Sequence, residues 1–226
     1  MMQSQSKPRK GEMSHYVNLT FWRKFFELIS DQKCSESRYF CDSHITWFMC
    51  RLFGLRGVLL KPGSSEIPSL ISAKQAGILT VLSPYHLDFF EGCQVILPKD
   101  FICTSEAISQ IAAAIPTGHL VAIGISSPKQ NELALILNKL RVDLNIICIG
   151  AVVGTFESQQ YVQDVAKTSN TGMEWLIHFK ANPRRFVKKS LYLCLGIVQV
   201  LLFPFEFRSL AMRLEKINDY DVTKNT

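Results

Sequence analysis

Five cations, Lys180, Arg184, Arg185, Lys188 and Lys189, fall within one stretch that holds no acid, and the residues that follow from Leu191 to Phe205 carry no charge. Guanidinium and ammonium groups in that density suit a diphosphate or an anionic headgroup, and the apolar run beside them suits lipid. Asn182 fits a helix N-cap and Pro183 the first helical position, where a missing N–H costs nothing. The spacing predicts an amphipathic helix with Arg184, Arg185, Lys188 and Lys189 on one side and Phe186, Val187, Leu191 and Leu195 on others. On the plainer view this is a solvated basic surface of a terminal helix. Gln199 and Pro204 interrupt the apolar run, which falls short of the roughly 20 residues that cross a bilayer core, so the expectation is a segment lying in the interface. Tyr192, Leu195, Leu201 and Phe203, with Lys189, are its expected membrane contacts. Pro204 should kink or end the helix.

A second set of polar residues stands where helices are expected to begin. Asp42 precedes the helical stretch Ile45 to Phe53, which Gly54 stops, and Asn18 precedes another from Phe21 to Ile29. The Ser126 to Gln130 turn opens a helix reaching about Leu140, with Ser127 and Pro128 as its cap and Lys129 and Gln130 in its first turn. Helix mouths offer free N–H groups and a positive dipole end to anions. Asp and Asn are also preferred N-caps, and Ser-Pro caps helices without any ligand, so each of these residues has a structural explanation too.

The elements that must hold these residues read as α/β. Gly77 to Leu82 is expected as a strand, Phe101 to Ala114 as a helix with Thr104 or Ser105 at its cap, and Pro116 to Gly118 as a turn. His119 to Ile125 and Asn145 to Val153 follow as further strands. Apolar runs of strand length alternating with helical periods predict a Rossmann-like, largely parallel sheet flanked by helices. Ligands of such sheets collect at the carboxyl ends of the strands.

At 226 residues and 47% hydrophobic the chain can bury one sizeable core. The formal charge of +6 raises the question of nucleic acid, but the cations gather beside hydrophobics near the C-terminus, which argues for anionic lipid or a phosphorylated substrate instead. Seven cysteines form no CxxC pair, and His44, His86 and His119 do not cluster at metal-ligand spacing. No metal and no cofactor are expected, and a reducing cytosol is favoured. Residues 1–12 read as a loose polar tail, 13–171 as the α/β core, 172–218 as a C-terminal helical membrane-associating appendage and 219–226 as a second tail.

Three motifs then fall in order: Gly124 to Gln130 after a strand, Gly150 to Glu157 at the end of the next, and Gly172 to His178 with Glu174, Trp175 and Leu176, leading into Asn182 to Arg185. This order resembles the WecG/TagA/CpsF family, glycosyltransferase family 26. Upstream, Asn18 looks like the asparagine of that family's Thr-x-Asn motif, Asp42 like its Asp-Gly aspartate, and Pro62 to Glu66 like its Gly-Ser-Asp loop. The likeness covers roughly residues 14 to 205 and is strongest in the C-terminal half.

The resemblance implies metal-independent, inverting transfer of an N-acetylmannosamine-type sugar from a UDP-sugar donor to N-acetylglucosamine on a polyprenyl diphosphate. It implies a cytoplasmic protein peripheral on the inner face of the cell membrane, at work in surface polysaccharide or cell-wall polymer assembly. Asp42 would be the general base. Asn18, Ser65 and Gln130 would line the substrate pocket, and Arg184, Arg185 and Lys188 would neutralise the departing diphosphate. The chain departs from the family at Ser43 in place of glycine, Glu157 in place of aspartate and His178 in place of arginine, and it lacks the Arg-Ala-Pro segment. A catalytically degenerate member acting as a binding or accessory protein in polysaccharide assembly is the alternative, and a nucleic-acid binder is a third reading. Homo-oligomerisation is left open.

Overall fold

The computed structural model describes residues 13–17, 22, 37–41, 44–54, 59–61, 63–150, 152, 156, 179–180 and 183–212; within them the side chains of residues 17, 37, 38, 185, 186 and 189 lie outside the description. The strands are β1 (Met13–Val17), β2 (Ser37–Cys41), β3 (Leu59–Leu60), β4 (Leu79–Ser83), β5 (Gln94–Ile96), β6 (Leu120–Ile123) and β7 (Asn145–Cys148). They form one seven-stranded sheet in the order β3-β2-β1-β7-β6-β4-β5, and every pairing is parallel. The expectation of a largely parallel α/β sheet is met.

Helices α1 (His44–Leu52), α2 (Ile67–Gln75), α3 (Ser105–Ala114) and α4 (Lys129–Leu140) flank it, and α5 (Pro183–Leu202) follows near the C-terminus. All residues of β4 and β6 are buried, as a parallel sheet covered on both faces requires. Their side chains alternate between two cores. Leu82, Val121, Ile123, Ile146 and Cys148 pack with Ile108 and Ile111 of α3 and Leu133 and Leu137 of α4. Leu79, Val81, Leu120, Ala122 and Ile147 pack on the opposite face with Ile67 and Leu70 of α2.

A third cluster joins Tyr39 and Cys41 of β2, Met49 and Cys50 of α1, Val200 of α5, and Phe207, Leu210 and Ala211. The last three belong to α6 (Pro204–Met212), which leaves α5 at 97°. Pro204 thus ends one helix and begins the next, as its ring and missing N–H dictate. The His15 and Tyr39 rings stack at 5.1 Å between centroids, and His15 meets α4 while Tyr39 meets the cluster under α5. Both helices therefore cover the same face of the sheet.

Two local expectations are corrected. Phe101 to Cys103 are not helical, because Thr104 takes the extended cap conformation and its hydroxyl accepts from the Ala107 N–H, so α3 starts at Ser105. Ser127 does not cap α4, for Pro128 stands at the N-cap without a side-chain bond, and the Ser127 hydroxyl is engaged by side chains.

Candidate functional site

The connection leaving β6 runs toward β7, whereas that leaving β4 runs outward to β5, so the loops at the carboxyl ends of these neighbours diverge. Such a divergence opens the crevice where open α/β sheets bind ligands. Gly124 to Pro128 leads from β6 into α4 on this edge. The first turn of α4 presents Gln130 and Asn131, both buried, at the positive end of the helix dipole.

A chain of hydrogen bonds fixes these two amides. Gln130 Nε2 donates to Ser127 Oγ at 2.7 Å, and Ser127 Oγ donates to Asn131 Oδ1 at 3.1 Å. Asn131 Nδ2 lies 3.0 Å from His15 Nδ1, and Cys148 Sγ lies 3.6 Å from the same nitrogen. Full burial holds the His15 imidazole down to a pKa of about 4, so the ring is neutral at pH 7 and its Nδ1 can accept from Asn131.

What the chain of bonds leaves over is Gln130 Oε1. It is buried and has no partner among the described residues, in a side chain only 4% exposed. A buried amide oxygen without a donor costs about 1–3 kcal/mol. The side-chain oxygens of Asn138 and Asn145 share that state, but Asn138 sits in the last turns of α4 and Asn145 opens β7 at the amino edge. Gly150 lies directly against Gln130: its φ is +53°, and a Cβ there would stand 3.3 Å from Oε1. Any larger residue would be strained by its backbone and crowded by the amide.

A second polar group occupies the same edge at the other side of the sheet. Tyr16 Oη donates to Glu66 Oε1 at 2.6 Å, and Lys61 forms an ion pair with the same carboxylate. The Lys61 ammonium also lies 5.0 Å from the Phe40 ring centroid, and its backbone N–H donates to the Cys41 carbonyl at 3.1 Å. Glu66 is buried at the end of the short helical turn Gly63–Glu66, in which Ser65 is half-buried. The Pro62 to Glu66 loop was expected from the sequence with Ser65 as its site residue, whereas Glu66 is the side chain that binds Tyr16 and Lys61. The glutamate directly before an Ile-Pro helix start was the signal that pointed to it.

Asn18 and Asp42 lie outside the described residues. Their chain neighbours Val17 and Cys41 are the last residues of β1 and β2. Ser65 and Gln130 stand on the carboxyl edge of the sheet, beyond β3 and β6. Arg184 and Lys188 are exposed on the first turns of α5, while the side chains of Arg185 and Lys189 lie outside the described residues. Tyr192, Leu195, Leu201 and Phe203 are 45%, 57%, 60% and 38% exposed.

Among the described side chains of α5, cations and apolar residues share one outward side. Arg184, Val187, Lys188, Leu191, Leu195, Val198 and Leu202 are all exposed, at spacings of three and four that place them on one outward side. Cations come first and apolar residues follow along it. Gly196 and Val200 are buried, with Leu193 and Ile197 partly so, on the opposite side. No single helix among the described residues is long and apolar enough to cross a membrane; the bent pair Ser190–Leu202 and Pro204–Met212 meets that test only together.

Three cysteines are held in the thiol form by their surroundings. Burial pushes Cys103 up to about 11 and raises Cys93 and Cys148 as well, so all three remain protonated and unreactive at pH 7. Among the described residues no group of His, Cys, Asp and Glu is arranged to hold a metal ion. Compared with family models, curated proteins and solved structures, the chain matches none.

Proposed function

We propose that this chain is a membrane-associated, inverting glycosyltransferase that moves an N-acetylhexosamine from a UDP donor to an acceptor on a polyprenyl diphosphate. The observation that carries the reading is Gln130, a buried amide at the mouth of α4 whose oxygen lacks a donor, in the motif that resembles glycosyltransferase family 26. A hydroxyl or acetamido N–H of a sugar would supply that donor. In this reading Asp42 takes the proton from the acceptor hydroxyl as its oxygen attacks the anomeric carbon, and UDP leaves from the opposite face. Arg184, Arg185 and Lys188 stabilise the diphosphate as its charge develops, work that a divalent ion does in other enzymes. Asn18 and Ser65 line the pocket.

The outward stripe of α5 supports the membrane part. Val187, Leu191, Leu195, Val198 and Leu202 are each at least half exposed, and exposed apolar surface of that extent, preceded by cations, fits an anionic bilayer where the acceptor resides.

Transfer of radiolabelled N-acetylmannosamine from its UDP donor to lipid-diphosphate N-acetylglucosamine in anionic vesicles tests the reading. Asp42→Asn is expected to lower turnover about 10²–10⁴-fold in a folded preparation. Absence of turnover above that variant, with UDP-sugar still bound, would leave the chain as a binding protein in polysaccharide assembly.

A further inference from the structure

Helix α1 carries a second apolar surface that neither the core nor α5 covers. Ile45, Phe48 and Leu52 are 42%, 59% and 61% exposed, and Leu59 on the neighbouring edge strand β3 is 58% exposed. Positions 45, 48 and 52 fall on one side of the helix, while Thr46, Met49 and Cys50 are buried on another. Single exposed hydrophobics are ordinary on a protein surface, but four on adjoining elements form a patch. Phe48 and Leu52 in particular are costly to leave in water.

The two helices α1 and α5 carry charge of one sign. Residues 44 to 54 contain Arg51 and no acid, and α5 contains Arg184, Arg185, Lys188 and Lys189 and no acid. The Arg51 guanidinium lies 5.1 Å from the Trp47 ring centroid, an aromatic and a cation side by side, as occurs where a helix meets lipid headgroups. Helix α1 is also packed to the C-terminal helices through Met49, Cys50, Val200, Phe207 and Leu210. The two apolar surfaces thus belong to one packed unit on one face of the sheet.

Resting on the membrane reading above, we infer that α1 is a second lipid-contacting element, its Ile45, Phe48 and Leu52 ridge inserting into the same anionic bilayer as the α5 stripe. Two separated contacts fix orientation, which a single amphipathic helix leaves free to roll. Cys41 ends β2 and His44 begins α1, so the first turn of α1, with Ile45, stands at the carboxyl edge of the sheet, and its contact with lipid sets that edge beside the membrane. A diphosphate-linked acceptor is then within reach without leaving the membrane.

Partition of the full chain into vesicles of equal parts phosphatidylcholine and phosphatidylglycerol tests this. Phe48→Ser and Leu52→Ser are each expected to weaken partition about tenfold, with the melting temperature unchanged. Brominated lipids should quench the tryptophan fluorescence, and Trp47→Phe should remove much of that quenching. If both serine variants partition like the parent while Leu195→Glu does not, α1 is overturned as a contact and the α5 stripe stands. If the parent does not partition at all, the membrane reading falls and this inference with it. A concentration-dependent dimer dispersed by Phe48→Ser would assign the ridge to a second copy of the chain and overturn the lipid contact.

Discussion

Two polar clusters on the same sheet, at opposite edges, differ in what they leave unanswered. At the amino edge Arg141 donates from Nε and Nη2 to the two oxygens of Asp143, each at 2.8 Å, and from Nη1 to the carbonyls of Ala112 and Ile115 at 2.7 and 3.0 Å. Asp143 also accepts from the Gly118 N–H at 3.3 Å. The Arg141 guanidinium, hydrogen-bonded to Asp143, holds that carboxyl well below the usual carboxylate range. This clamp closes α3 onto the turns before β6 and β7, and its charge is satisfied internally. At the carboxyl edge the bonds from His15 through Asn131 and Ser127 end on Gln130 with an oxygen to spare. The first arrangement holds the fold together, and the second leaves a buried acceptor without a donor among the described residues.

The contrast can be broken by acid, which should act on the carboxyl edge most strongly. His15 has a folded pKa of about 4 against about 6.5 in an unfolded chain. Below pH 6.5 the unfolded state binds the proton first, so stability is full above that value and falls as the pH drops toward 4. The loss should reach about 3 kcal/mol, and His15→Leu should flatten the slope in denaturant titrations across that window.

Next in size, Arg141→Met at the amino edge leaves two partly buried carbonyls without that donor and should cost about 2 kcal/mol of stability in urea titrations. Affinity for a UDP-sugar should stay at the parent value. A loss of affinity there would mean that the two edges are not separate in function.

The smallest effect is the sharpest test of the comparison. Gln130→Met removes the unanswered oxygen together with the bond to Ser127, so stability should move by less than about 1 kcal/mol. Calorimetric affinity for UDP-N-acetylhexosamine should fall about tenfold, with affinity for UDP itself preserved. Equal losses for both ligands would assign Gln130 to the nucleotide rather than the sugar.

Much of the sheet was legible because its central strands are short apolar runs bounded by turn residues. Leu79 to Ser83, Leu120 to Ile123 and Asn145 to Cys148 fall within or beside the expected ranges, and α1, α4 and the start of α5 at Pro183 follow from period and capping. β1 and β2 were missed because His15, Tyr16 and Tyr39 are buried by partners far along the chain, which local hydropathy does not register. β3 and β5, with two and three residues, are too short for alternation to show. The helix α2 was hidden by Pro68 and a weak apolar period.

The candidate site was legible only where a short motif marked it, as at Gln130 and Ser65. The bond between Asn131 and His15 joins residues 116 apart in sequence, and no spacing rule reaches that far. Glu66 took its partner Tyr16 from 50 residues away, beyond the reach of any spacing rule in the same way. Which side of α5 faces outward was not legible for a different cause: a helical wheel gives angles, but the side that faces the protein is decided by the packing of Val200 with residues of α1 and β2.

The right-angled turn between α5 and α6 has a mechanical consequence. Phe205, 86% exposed, projects from the corner, while two residues on Phe207 is 3% exposed and packs edge-on against Trp22 and Phe53. The corner cannot swing as a tethered arm, because one limb is pinned at Val200 and the other at Phe207, Leu210 and Ala211. Any pull or tilt imposed at Phe205 is therefore transmitted straight to strand β2, like torque through a bracket rather than slack through a rope.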